Sequence, residues 1–413
     1  MAERPLPIRR NTILLSASLA ANSAMLQLSA AVATLTVGLV VGVKGLVGLG
    51  PAIVLGTGAL SALPAGRAMD RFGRVPVLVT GFALGVIGGV LAAIGAGFDL
   101  ALPVLVGLVF VGAASATALL ARTAAGDMYP PSRRARGIAF VLFGAVFGAI
   151  LGPAVFSPLL ANRDLDADAL VWPWLAASAF MVLGLLLVAA VRPDPRRIAQ
   201  QIGAAGEPQT GETTARLAEI LRRPGVLPAL LAALASFSVM VGIMTLTGVV
   251  VVQHGHPADV VFPIIGAHVI GMYALVIVVG DLIDRIGRSR ALVGGLILMA
   301  ASAASLLWVT SVVALAFSLF ALGLGWSLSF VAATAQLADR TSAAERGRLL
   351  GFNDLLSGLT GAGLSLLGGY ALDAIGVAAL GVGGLLLALA PAGWIVRYSL
   401  RVRALGLAPS RAD

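Results

Sequence analysis

The chain has 413 residues, of which 59% are hydrophobic and only 11% are charged, and its mean hydropathy is +0.99. Soluble domains carry about 25% charged residues, so this composition excludes a soluble protein and makes a lipid bilayer the main partner of the chain. The net charge of +9 does not indicate nucleic-acid binding, because the basic residues are spread over several loops and form no single patch.

Long apolar runs, separated by short breaks that carry arginine, follow one another along the chain. Each run is long enough for a transmembrane helix of about 20 residues, and none shows the alternating pattern of a membrane β-barrel strand. We therefore predict an all-α integral membrane protein with about twelve transmembrane helices. The predicted spans are 11–39, 45–67, 75–97, 101–124, 136–160, 169–191, 225–250, 260–282, 290–310, 312–338, 348–371 and 375–396.

A polar stretch divides the predicted spans into two sets of six. Residues 192–223 are rich in Pro, Gly, Gln, Thr and charge, which is typical of a solvated linker, and we expect a short surface helix near its end. The basic residues lie mainly at the N-terminus, in alternate loops and at the C-terminus, with Lys44 and Arg163 on the other side. This distribution predicts that both termini and the linker are cytoplasmic. The predicted domains are 1–191, 192–223 and 224–413.

The two halves share a motif in the loop after their second helix. Gly66-Arg-Ala-Met-Asp-Arg-Phe-Gly-Arg74 recurs as Gly280-Asp-Leu-Ile-Asp-Arg-Ile-Gly-Arg288. Asp127 and Asp339, each followed by arginines, match at nearly the same spacing, which indicates tandem repeats. The motif resembles the signature of the major facilitator superfamily of secondary transporters, and the resemblance covers essentially the whole chain.

The charged residues of this motif are candidate gating groups. Its glycines allow two helix ends to approach closely, and its aspartate can accept hydrogen bonds from helix N-terminal amides and hold arginines across a cytoplasmic gate. The resemblance implies a major-facilitator fold of two six-helix pseudo-repeats that works by alternating access. The candidate gating residues are Asp70, Arg71, Arg74, Asp284, Arg285 and Arg288.

Few charged residues fall inside the predicted spans. Arg122 lies near the inner end of the fourth span, Asp281 near the inner end of the eighth, and Asp354 early in the eleventh. Ionisable groups within a span are functional hypotheses by default, so Asp354 and Arg122 are candidate proton-coupling residues. The alternative, that these groups lie at the cytoplasmic rim and serve the gate, stays open.

Methionine and histidine recur at helical spacing on the seventh and eighth spans. Met240 and Met244 are four residues apart, as are His268 and Met272, so each pair shares one helix face near mid-membrane. Three thioethers and one imidazole form a soft, neutral ligand set that favours Cu(I) over Mg, Ca or Mn. The alternative interpretation is that the methionines fill the apolar core and that His268 is a hydrogen-bonded core residue.

Met-x-x-x-Met followed by His-x-x-x-Met is similar to the pattern of the CcoA-like copper importers of bacterial inner membranes. This resemblance implies a multi-pass inner-membrane protein that imports copper ion as its substrate, without a resident cofactor, and it implies metal contacts for both pairs. The remaining histidines fall in the outer loop between the two spans, where we predict that they capture the ion. The candidate metal ligands are Met240, Met244, His268, Met272, His254 and His256.

Two other function classes remain open. A small-organic-solute transporter of the same fold, either a drug–proton antiporter or a flavin-type carrier, would use the Met and His side chains as cavity lining. A membrane sensor or scaffold would need partner-binding segments, and outside 192–223 the loops are short. No nucleophile–base pair or phosphate-binding loop indicates an enzyme, and the absence of cysteine excludes disulfides and thiolate metal sites.

Overall fold

The computed structural model describes residues 6–41, 49–160, 167–204, 215–256, 261–342 and 344–404. These ranges are helical nearly throughout and contain no β-strand, which confirms the all-α prediction. The helices before the predicted linker are α1 Ile8–Thr36, α2 Leu49–Phe72, α3 Arg74–Gly97, α4 Ala101–Leu119, α5 Ala121–Asp127, α6 Arg134–Leu160 and α7 Val171–Ala189. The linker itself contains α8 Pro195–Ala204 and α9 Leu217–Leu221. The helices after it are α10 Val226–Gln253, α11 Val261–Tyr273, α12 Val276–Ile286, α13 Arg288–Ser305, α14 Val312–Asp339, α15 Arg346–Ile375 and α16 Val377–Ala404.

Each predicted span coincides with one helix or with two successive helices. Among the described residues, eight helical segments are long and apolar enough to cross a membrane, and α11 together with α12 makes a ninth. This pair is bent by 44° at its break, and α5 continues α4 after a shorter break at Leu120. The nine segments do not include the spans predicted at 11–39, 290–310 and 348–371. These three spans coincide with α1, α13 and α15.

The helices form two compact units. Unit 1 consists of Met1–Pro130, Phe140–Thr214 and Ala343–Leu355, and unit 2 consists of Pro131–Ala139, Ala215–Ser342 and Leu356–Asp413. The first turns of α15 therefore belong to unit 1, and the first residues of α6 belong to unit 2. The division into 1–191, 192–223 and 224–413 stays a prediction.

The predicted linker contains two short helices, α8 Pro195–Ala204 and α9 Leu217–Leu221. We expected a short surface helix where α9 lies, whereas α8 was not predicted. The Asp194 carboxylate joins the start of α8 to the start of α3. Its Oδ1 accepts from the Arg196 amide at 2.8 Å. Its Oδ2 accepts from the Arg74 and Val75 amides at 2.9 and 2.8 Å. One carboxylate thus caps the N-termini of both α8 and α3. The middle of the linker, residues 205–214, lies outside the described residues, as do Lys44 and Arg163.

Candidate functional site

The repeated motif of the first half forms an ion cluster in unit 1. The turn at Gly73, whose φ of +98° favours glycine, brings the end of α2 against the start of α3. Arg74 then donates from Nη1 to Asp70 Oδ1 at 3.1 Å and from Nε to Asp127 Oδ2 at 2.6 Å. Arg346, the first residue of α15, also binds Asp127. The Arg74 and Asp127 side chains are fully buried, so this ion pair is withdrawn from solvent.

The motif of the second half forms the corresponding cluster in unit 2. Gly287, with a φ of +88°, makes the same turn, between α12 and α13. Arg288 donates from Nη1 to Asp284 Oδ1 at 2.5 Å and from Nε to Asp339 Oδ2 at 3.2 Å, and Arg134 at the start of α6 also binds Asp339. This cluster is less buried, because 21% of the Asp339 side chain and 14% of the Arg288 side chain are exposed.

Each motif aspartate also caps the N-terminus of a helix. Asp70 accepts from the amide of Gly347 at 2.8 Å and from that of Arg348 at 2.6 Å, both in the first turn of α15. Asp284 accepts from the amide of Arg136 in the first turn of α6 at 3.0 Å. Carboxylates are favourable at this position because the first amides of a helix lack partners inside the helix. The expected contact between aspartate and helix amides is therefore present in both units, while its gating role stays a prediction.

The two remaining candidate gating residues lie outside these clusters. Arg71 is exposed, with its guanidinium carbon 5.1 Å from the centroid of the Phe72 ring, and Arg285 is exposed as well. The residues that complete the clusters were recognised in the sequence only as markers of the repeat. They are Asp127 and Arg346 in unit 1, and Asp339 and Arg134 in unit 2. Asp127 and Arg134 in the first half match Asp339 and Arg346 in the second. This correspondence could have predicted that these residues bind the aspartate and arginine of the motif.

The two candidate proton-coupling residues bind each other within unit 1. Arg122 on α5 is fully buried and donates from Nη2 to Asp354 Oδ1 on α15. The same oxygen accepts from Asn353 Nδ2 at 3.1 Å. The second oxygen of Asp354 is buried and has no hydrogen-bond partner among the described residues. Protonation of Asp354 would remove the charge that attracts Arg122, which is the chemistry that proton coupling requires.

His268 and Met272 on α11 both face α14. His268 is fully buried, and its Nδ1 donates to the carbonyl oxygen of Leu319 at 2.9 Å. In the neutral ring Nε2 is then the acceptor nitrogen, and it has no partner in the described part of the chain. Met272 packs on Gly323, where an added β-carbon would lie 3.1 Å from Met272 Cγ. The spacing of four thus places both side chains on one face, as expected.

The other candidate metal ligands lie on α10 and just after it. Met240 is buried and Met244 is half-buried. His256 Nε2 lies 2.6 Å from the Thr310 carbonyl oxygen, and His254 Nδ1 is buried without a partner among the described residues. No three His, Asp or Glu side chains gather as a metal site within the described ranges. The ligand set of three methionines and one histidine stays a prediction.

An aromatic cluster in unit 2 was not predicted. Trp326 on α14 stacks on Phe330 with ring centroids 4.5 Å apart, and it meets Tyr273 edge-on at 5.8 Å. Only 4% of Trp326 is exposed, yet its indole N–H has no acceptor among the described residues. Trp326 and Phe330 are four residues apart, which was visible in the sequence, but the contact with Tyr273 depends on how α11 packs on α14.

Comparisons with known proteins agree with this architecture. The sequence profile of the Major Facilitator Superfamily matches residues 12–272 and 264–409. The chain is 32% identical to the uncharacterized MFS-type transporter YdeG of Bacillus subtilis (strain 168), over 84% of this chain and 82% of that protein. It is also 32% identical to the riboflavin transporter RfnT of Brucella anthropi, over 72% of this chain and 73% of RfnT.

Among solved structures, the fucose:proton symporter FucP of E. coli superimposes with a TM-score of 0.71 at 16% identity, over 94% of this chain and 98% of FucP. This likeness concerns the fold, and it agrees with the predicted arrangement of two six-helix repeats. The chain belongs to the major facilitator superfamily and is a secondary membrane transporter, not an enzyme.

Proposed function

We propose that this transporter carries a planar aromatic organic solute of the flavin type. The supporting observation is the indole N–H of Trp326, a donor that is buried without an acceptor among the described residues and held in an aromatic cluster. A buried donor without an acceptor costs about 1 to 3 kcal/mol, and a ring carbonyl of the solute would satisfy it. Aromatic walls with a few directed polar groups are typical of sites for such ligands. The 32% identity to the riboflavin transporter RfnT agrees with this solute class.

Copper import is a second candidate, and a separate observation favours it. Metal-binding histidines usually donate one ring N–H to a carboxylate or carbonyl oxygen and bind the metal through the other nitrogen. His268 donates to the Leu319 carbonyl and has its second nitrogen buried without a partner among the described residues. Met272, one helical turn away and also buried, adds a thioether that suits Cu(I). Copper would be the transported substrate, and no resident cofactor is involved.

Proton coupling through Asp354 is part of this proposal. In a proton-driven cycle, one carboxylate binds and releases a proton as the substrate site changes access. The buried pair of Asp354 and Arg122 supports that role, because loss of the negative charge would weaken the pair.

Paired substitutions distinguish the two substrates in membrane vesicles that contain the purified protein, with riboflavin and Cu(I) as probes. Trp326→Phe keeps the ring but removes the N–H, so it should reduce riboflavin uptake about fivefold, the equivalent of one hydrogen bond of about 1 kcal/mol. Trp308→Phe is the matched control, since Trp308 is 74% exposed. The double variant His268→Ala/Met272→Leu should abolish copper uptake if copper is the substrate.

Riboflavin uptake that equals the uptake of protein-free vesicles would overturn the organic-solute proposal. Copper uptake that depends on His268 and Met272 would then establish copper import. Equal sensitivity of riboflavin uptake to the Trp326 and Trp308 substitutions would show that the aromatic cluster does not contact the solute.

A further inference from the structure

A groove of about 550 Å³ lies on unit 1 where the turn between α2 and α3 meets the start of α8. Its lining combines positive charge with apolar surface. The residues that matter here are Arg71, Phe72, Val79, Arg192, Arg196 and Arg197. None of them belongs to the ion clusters or to the proposed substrate site.

The groove has an excess of positive charge. Among the described residues, no carboxylate forms a salt bridge with any of its four arginines. The nearby Asp194 already accepts from three backbone amides, at Arg74, Val75 and Arg196. Arg196 Nη1 donates only weakly, at 3.5 Å, to the carbonyl oxygen of Arg71, and Arg196 Nε is buried without a partner in the described part of the chain. The guanidinium groups are therefore available to an anion.

The groove also has an apolar side. Phe72 is the last residue of α2 and is 62% exposed, and Val79 lies about one and a half turns into α3. Both helices qualify as membrane spans, so the turn that joins them lies at a membrane surface. The positive-inside pattern predicts that this surface is cytoplasmic. A ligand here would meet positive charge at one end and hydrocarbon contacts at the other.

We propose that this groove binds an anionic phospholipid, with its phosphate on the arginines and its acyl chains along Phe72 and Val79. A soluble phosphate would use the charge but would leave the apolar wall without a role. Basic pockets at the cytoplasmic ends of transmembrane helices bind anionic headgroups in this way. Asp194 fastens the start of α8 beside the groove, so the bound lipid lies against the first residues of the linker.

The test measures retained lipid by native mass spectrometry of the full-length protein, titrated with phosphatidylglycerol or with phosphatidylcholine. The wild type should retain phosphatidylglycerol in preference to phosphatidylcholine. Arg192→Gln/Arg196→Gln/Arg197→Gln should weaken phosphatidylglycerol binding by about a hundredfold, since each of the three basic contacts contributes roughly a fivefold factor. The matched control is Arg133→Gln/Arg290→Gln/Arg397→Gln, which removes the same charge from exposed positions outside the groove.

Two further measurements keep the result decisive. The single variants Arg192→Gln and Phe72→Ser change exposed side chains, so they report on the groove even if the triple variant does not fold. Glycerol 3-phosphate, the headgroup without acyl chains, should not displace the lipid at equal concentration. Equal losses in the groove and control variants, or full displacement by glycerol 3-phosphate, would overturn the proposal.

Discussion

Arg122 and Asp354 form a buried ion pair in which the guanidinium is fully buried and only 11% of the carboxylate side chain is exposed. Removing one partner of such a pair typically costs about 3 to 5 kcal/mol, because the remaining charge keeps its desolvation penalty. Asp354→Asn should therefore destabilise the protein by about 3 kcal/mol or more, whereas Arg122→Gln/Asp354→Asn should recover part of the loss. Thermal unfolding of the purified variants in one detergent measures both effects.

A matched control is available in unit 2. Arg136 and Asp281 form a pair at 3.2 Å whose side chains are 57% and 34% exposed. Exposed pairs contribute about 0 to 1 kcal/mol, so Asp281→Asn should hardly change the unfolding temperature. If Asp354→Asn unfolds at the same temperature as Asp281→Asn, the buried pair does not stabilise the fold.

The candidate site was predictable from sequence to different degrees, and His268 illustrates the difference. A spacing of four residues correctly placed His268 and Met272 on one helix face, because that relation depends only on the helical repeat. The side chain that each residue contacts depends on which helix lies opposite. The spacing could not show that α14 lies opposite this face, where His268 and Met272 contact Leu319 and Gly323, and the pairing with Met240 and Met244 on α10 stays a prediction.

At the scale of helices, the predicted spans were largely correct, because an apolar run of about 20 residues has few alternatives in a membrane. The breaks inside two spans were not predicted. α4 ends at Leu119 and α5 begins at Ala121, while α11 and α12 meet at an angle of 44°. Neither break contains proline or glycine, the residues that mark helix interruptions in a sequence. The sequence therefore carries no helix-breaking residue within either break that could have marked its position.

The packing of α11 on α14 depends on Gly323. A β-carbon at this position would lie 2.9 Å from the amide nitrogen of Met272 and still closer to the carbonyl oxygen of His268. Both are backbone atoms, which cannot move without displacing α11. We expect Gly323→Ala to destabilise the protein by about 1 to 3 kcal/mol, the usual effect of overpacking, and to lower transport of whichever substrate is carried.

Gly266, also on α11, provides the control for this prediction, since an added β-carbon there would have no atom of the described residues within 4 Å. Gly266→Ala should be neutral or slightly stabilising, because alanine favours helix more than glycine does. Thermal unfolding of both variants tests the difference, and a Gly323→Ala protein as stable as Gly266→Ala would contradict the close contact.

At the scale of the molecule, the tandem repeat was the most informative sequence feature. It predicted corresponding positions in the two halves, and each half indeed contributes an aspartate and an arginine of the motif to an ion cluster. What the repeat could not predict is the difference in burial, because similar motifs meet different neighbours. The Asp127 side chain in unit 1 is fully buried, whereas that of Asp339 in unit 2 is 21% exposed.

This difference predicts unequal effects of one substitution at the two matched positions. Asp127→Asn leaves Arg74 and Arg346 close together without their shared carboxylate, in a site where Arg74 is fully buried, so we expect a loss of about 3 to 5 kcal/mol. Asp339→Asn should destabilise less, since solvent reaches that carboxylate and 14% of the Arg288 side chain. Thermal unfolding of the two variants under identical conditions gives the comparison. Equal losses would mean that the repeat sequence, and not the surroundings of each cluster, determines how strongly the clusters stabilise the transporter.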